Sequence, residues 1–164
     1  MEHGGSGEGI LHALEMSAVG ETMRQSLILY PAVETLHIVG FSILVGSIVA
    51  FDLRVLGFGR GIALEAAAKH LLRVAWIGFS LAVPMGLLLF ATEATSIAEN
   101  PSFRVKLALI LLAGLNMLAF HLGPWRRVAS WVGGIAPSTA RAGAAASIAL
   151  WLGVVAGGRL IAYF

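Results

Sequence analysis

Residues Leu27–Leu53 read LILYPAVETLHIVGFSILVGSIVAFDL. The 17 residues between Glu34 and Asp52 contain no Lys, Arg, Asp or Glu. At about 1.5 Å per residue the stretch runs roughly 40 Å, enough for a hydrocarbon core of about 30 Å and its interfaces. Pro31 falls in the first turn, where a missing N–H costs nothing. The stretch reads as a membrane-spanning helix with one ionisable side chain, His37, inside it. An ionisable group at such depth is expensive, so His37 is a functional candidate.

The rest of the chain agrees. Of 164 residues, 58% are hydrophobic and only 12% charged, with a mean hydropathy of +0.86. Soluble domains carry about 25% charged residues. The net charge of +2 comes from a few arginines and does not suggest nucleic-acid binding. There is no cysteine, which excludes disulfides, thiolate metal sites and Fe–S clusters. The opening MEHGGSGEG lacks a basic region and cleavage site, so the first span is expected to be retained. Motifs for nucleotide binding, zinc proteolysis and serine hydrolysis are absent.

The expected organisation has two parts. Residues 1–26 form a tail, flexible over 1–9, and one short interfacial helix over Ile10–Gln25. Residues 27–164 form the transmembrane domain, with spans at about 27–53, 71–92, 103–122 and 140–164. A short amphipathic lead-in, Leu64–Leu71, precedes span two, and Pro84 is expected to kink that span. Asn100-Pro101-Ser102 marks the start of span three. Ser42, Gly46 and Ala50 give span one a small-residue face, and Ala145, Ala149, Gly153 and Gly157 give span four another. The fold expected is all-α: an integral membrane four-helix antiparallel bundle with a short N-terminal interfacial helix.

Arg54, Arg60, Lys69, Arg73, Arg126, Arg127 and Arg141 are seven of the eleven basic residues, and they flank connections one and three. Seven of the nine acids fall on the other side. The positive-inside rule then places connections one and three in the cytoplasm and both termini in the periplasm of a bacterial inner membrane.

Depth decides which polar groups can meet. Counted from each span's midpoint, His37 lies about 5 Å outward, with Lys106 and Arg159 about 10 Å outward and Glu34 beside them. His121 lies about 12 Å inward and His70 slightly further. Two constellations follow. His37 can be an axial haem ligand, with Gly40 leaving room for the porphyrin, Lys106 and Arg159 on propionates and Met85 a sixth ligand. The competing reading is a polar network in which Glu34 pairs with Lys106 or Arg159 and His37 bonds across the bundle. His70 and His121 can ligate an iron from facing helices, or be interfacial residues beside Arg73 and Arg126.

The runs LYPAVETLHIVGFSILVGSIVAFDLRVLG, NPSFRVKLALILLAGLNMLAFH and SIALWLGVVAGGRLIAYF resemble a bacterial inner-membrane family known mainly as a domain of unknown function. Leu36-His37, and Lys106 with His121 closing the same helix, are similar to the HemJ-type protoporphyrinogen oxidases and copper-resistance-D-like membrane proteins. That resemblance implies haem b binding and redox chemistry on tetrapyrroles. The aromatic-rich first-helix signature of the HemJ type is missing, so haem binding carries over and the enzyme activity does not. The function expected is a membrane subunit that binds haem b and passes electrons, with quinone or other membrane subunits as partners. A non-catalytic accessory or assembly subunit, or a small proton-coupled carrier using Glu34, His37 and Lys106, stands beside it.

Overall fold

The computed structural model describes residues 6–131 and 135–163. Within them are seven α-helices: α1 (Ser6–Glu15), α2 (Ala18–Gln25), α3 (Leu29–Leu56), α4 (Leu64–Phe90), α5 (Ala94–Glu99), α6 (Pro101–Leu122) and α7 (Ser138–Leu160). Four of them, α3, α4, α6 and α7, are long and apolar enough to cross a membrane. They form a multi-pass antiparallel bundle, as expected. The start of α3 and the end of α7 lie at one end, the terminal end. The α3–α4 and α6–α7 connections lie at the other, the loop end.

Boundaries differ from the sequence reading where local bonding decides them. Span one continues past Asp52 to Leu56 and closes on Gly57, at φ +108°, whose N–H bonds to Arg54 and Leu53 carbonyls. Phe58 N–H reaches back to Leu53 O at 3.0 Å, a left-handed glycine stop. The lead-in at Leu64–Leu71 is continuous with span two, and α4 runs through Pro84 without a break. The single interfacial helix is two helices. The second is capped by Ser17, whose hydroxyl accepts from Gly20 N–H at 3.2 Å. The first begins at Ser6, inside the tail expected to be flexible, of which residues 1–5 lie outside the described residues. Phe164, the expected end of span four, also lies outside them; α7 ends at Leu160 and gives way to a 3-10 turn.

Two glycines set the closest helix approach. A Cβ on Gly78 would stand 2.5 Å from Leu44 N and 2.7 Å from Gly40 O. One on Gly40 would stand 2.7 Å from Ala82 N. α3 and α4 thus cross backbone to backbone, the contact small residues permit between membrane helices. α7 packs on both α3 and α6. The expected small face of span one is not the packing face. Ser42, Gly46 and Ala50 are exposed, while Gly40, Leu44, Ser47 and Phe51 are buried. On α7, Ala145 and Ala149 are exposed, and the buried line is Ala140, Ala144, Ser147, Val154 and Gly157.

Each end is closed differently. At the loop end Phe51, Val55, Leu64, Phe120 and Ala140 form a buried cluster, against which Trp125 and Trp131 pack. At the terminal end α1, α2 and α5 form a polar lid. Arg24 Nη1 donates to Thr92 O at 2.8 Å, and Thr95 N–H donates to Glu15 Oε2 at 3.2 Å. Met23, fully buried, anchors α2.

Candidate functional site

α4 packs on α3, α3 on α7 and α7 on α6, but α4 and α6 share no comparable face. Their terminal-end rims meet where Phe90 stacks on Phe103, ring centres 5.4 Å apart. Below that contact the ring of helices stays open, and a cavity of about 450 Å³ lies between all four helices in the loop-end half. Sites for cofactors and small molecules typically measure about 300–1,000 Å³ and are mostly apolar with a few placed polar groups. The lining here follows that rule. Leu44, Ile48, Phe79 and Ile110 are among its apolar walls, and Asp52, Asn116, His121 and Ser147 are its polar groups.

Each polar group is held by its helix. His121 sits in the last turn of α6, and its Nδ1 lies 2.9 Å from Met117 O. A carbonyl only accepts, so Nδ1 carries a proton, and in the neutral imidazole the lone pair is on Nε2. Asn116, near one helical turn earlier, donates through Nδ2 to Gly143 O of α7 at 3.0 Å. Asp52 is 6% exposed, in the penultimate turn of α3. Its hydrogen-bonding neighbour is Ser147 on α7. Its Oδ2 is buried without a hydrogen-bond partner among the described residues. An unpaired buried carboxyl oxygen is costly, and Asp52 lines the cavity, so the residue marks a place where a donor would be satisfied.

The sequence-predicted residues separate. His121 lines the cavity and His70, exposed on α4, does not, so the inner pair does not converge there. His37 is half-buried in the α3–α4 seam, outside the cavity. Its Nδ1 lies 2.8 Å from Ala82 O, which again assigns a proton to Nδ1 and, in the neutral imidazole, the lone pair to Nε2. The ring rests where a side chain on Gly86 would be, 2.8 Å from that position. The room expected beside Gly40 is filled by Ala82 and Gly78 of α4. Phe41 links His37 to the cavity, stacked on the imidazole at 6.3 Å and tilted against Trp151, a lining residue, at 6.4 Å.

Lys106 and Arg159 lie toward the terminal end, away from the cavity. Lys106 runs along Gly157 and Gly158 of α7, and Arg159 donates to Tyr163 Oη at 2.9 Å while stacking over that ring. Glu34 is exposed. Among the described residues no three His, Asp or Glu side chains gather as a metal cluster. Asp52 and Ser147 are the site residues that sequence reasoning passed over. Asp52 served there as the marker where span one ends. Gly57, five residues on, was the signal that the helix continues and carries the acid inside. No protein-family model, curated protein or solved structure matches the chain.

Proposed function

We propose that this chain is a membrane electron-transfer subunit that binds haem b in the loop-end cavity, with His121 as iron ligand. The observation that carries the reading is an apolar cavity of about 450 Å³, open between α4 and α6 and edged by an imidazole whose Nδ1 is taken by Met117 O, so that Nε2 is the nitrogen left for a ligand. Haem-ligating histidines commonly donate Nδ1–H to a backbone carbonyl, which fixes tautomer and ring orientation. His121 is the one histidine among the lining residues and would hold the iron; Met117 also lines the cavity, four residues away on the same helix. A bound haem would supply a one-electron iron couple. The chain supplies what surrounds it: apolar walls that exclude water, Asn116 and Ser147 held on α6 and α7, and an aromatic path through Trp151 and Phe41 to His37. His37, whose Nδ1 is likewise bonded to a backbone carbonyl, is the alternative ligand, with Lys106 near enough to act on it electrostatically.

The basic residues at the loop end support a bacterial inner membrane with that end cytoplasmic and both termini periplasmic. One observation favours a second occupant, a quinone: the unpaired Oδ2 of Asp52 at the cavity wall offers an acceptor to a quinol hydroxyl.

Absorption spectra of purified protein, oxidised and dithionite-reduced, decide between them. A Soret band with sharp reduced α and β bands supports haem. A colourless, folded protein that stays colourless with added haem overturns it. Retention of quinol through anaerobic purification, lost in Asp52→Asn, would then support the second occupant. Retention of neither would leave an accessory subunit or carrier.

A further inference from the structure

A second pocket opens at the loop end, between the α3–α4 connection and the start of α7. Arg54, Arg60 and Arg141 line it, and no carboxylate among the described residues does. The three cations come from three different segments, and each is placed by a specific contact. Arg54 is 8% exposed, and its Nε donates to Ile62 O at 2.7 Å. That bond ties the guanidinium into the connection between α3 and α4. Arg60 folds back on the left-handed Gly57, Nε to Gly57 O at 3.3 Å. A side chain on Gly57 would stand 3.5 Å from the Arg60 guanidinium. Arg141 lies in the first turn of α7, its N–H bonded to Pro137 O.

α7 begins at the rim of this pocket, since Ala136 and Arg141 both line it. Its N-cap is Pro137, which provides no side-chain cap. The first amides of α7 therefore have no intrahelical acceptor, and the positive end of the helix adds to the field. Three arginines and a helix N-terminus border an opening of about 30 Å³, a concentration of positive charge that favours an anion there. Arginine forks match phosphate oxygens in pairs, and basic pockets at the cytoplasmic level of membrane bundles bind lipid phosphates.

We infer that Arg54, Arg60, Arg141 and the start of α7 form a phosphate-binding site at the loop end of the bundle. Two sources share that chemistry: the headgroup of an anionic phospholipid, and soluble phosphate. The site is separate from the four-helix cavity and holds whether or not that cavity binds haem.

The test uses full-length protein in a non-ionic detergent and measures ligand retention by native mass spectrometry. The probes are phosphatidylglycerol, phosphatidylcholine and inorganic phosphate. The deciding variant is the double Arg60→Gln/Arg141→Gln, because both side chains are exposed and their loss leaves the core intact. Arg54→Gln also loses its hold on Ile62 and serves as a secondary variant. The double Arg73→Gln/Arg126→Gln removes two exposed basic residues at the same end outside the pocket and controls for diffuse charge. Phosphatidylglycerol retained by wild type and by the control pair, and bound about thirtyfold more weakly by Arg60→Gln/Arg141→Gln, establishes a lipid-headgroup site. Inorganic phosphate bound with the same variant dependence, and phosphatidylglycerol no better than phosphatidylcholine, establishes a soluble-phosphate site. Equal losses in both double variants, or no binding by wild type, overturns the inference.

Discussion

Gly78→Ala is predicted to destabilise the bundle relative to Gly46→Ala, and the structure fixes the size of the difference. A methyl on Gly78 stands 2.5 Å from Leu44 N and 2.7 Å from Gly40 O, both backbone atoms that cannot rotate away. Ordinary contact begins near 3.5 Å, so α3 must retreat from α4 by about 1 Å. A forced shift of that kind in a packed interior costs about 1–3 kcal/mol. Both substitutions replace a helical glycine by alanine, a gain of about 0.5–1 kcal/mol each, and this gain cancels in the comparison. A methyl on Gly46 meets nothing within 4 Å. The difference between the two variants is therefore the overpacking cost alone, about 1–3 kcal/mol in favour of Gly46→Ala. Unfolding in mixed micelles by increasing mole fraction of sodium dodecyl sulfate, followed by circular dichroism, reads it directly. A Gly78→Ala protein as stable as Gly46→Ala would refute the backbone crossing of α3 and α4.

Asn100→Ala removes the cap of α6, whose Oδ1 accepts from Ser102 and Phe103 N–H, and should cost about 1 kcal/mol in the same unfolding assay. Glu15 is held below the ordinary glutamate range because its carboxylate accepts the Thr95 backbone N–H. Its contribution to the lid is then present above the ordinary glutamate pKa and lost as pH falls through the lowered one. Proteolysis within α1 and α2 should accordingly rise on acidification, and Glu15→Gln should flatten that pH dependence. Ala113→Phe places a ring in the cavity from the α6 wall, and should leave the fold intact while abolishing retention of haem or quinone. Wild-type retention in that variant would show that the ligand sits elsewhere.

The sequence reading found the four spans because length and apolarity are local properties. Their ends were less legible. Leu56 rather than Leu53 closes span one because Gly57, one turn past Leu53, adopts a left-handed conformation, and the charge of Asp52 drew the boundary before that glycine was reached. The packing face of span one was misjudged for a related reason. In a bilayer, apolar residues cover both the lipid side and the core, so periodicity does not separate them. Ser42, Gly46 and Ala50 matched a packing motif that the chain leaves exposed, while Gly40 and Gly78, on different helices, make the crossing.

The candidate site shows the same limit. His121 was singled out by depth and lines the cavity, but depth alone also selected His70, whose direction around α4 only the fold decides. Depth placed Lys106 and Arg159 near His37. Tyr163, four residues after Arg159, gives that guanidinium a partner within its own segment. The opening between α4 and α6 was not legible at all, because it depends on which helices fail to touch. Asp52 became visible only with that opening.

The most direct test of the account is haem titration of the purified protein in nanodiscs, with wild type, His121→Ala and His37→Ala compared side by side. The account predicts a one-to-one b-type spectrum for wild type and for His37→Ala, and its loss in His121→Ala. A spectrum that survives in His121→Ala and vanishes in His37→Ala would place the iron in the α3–α4 seam and contradict the assignment of the cavity.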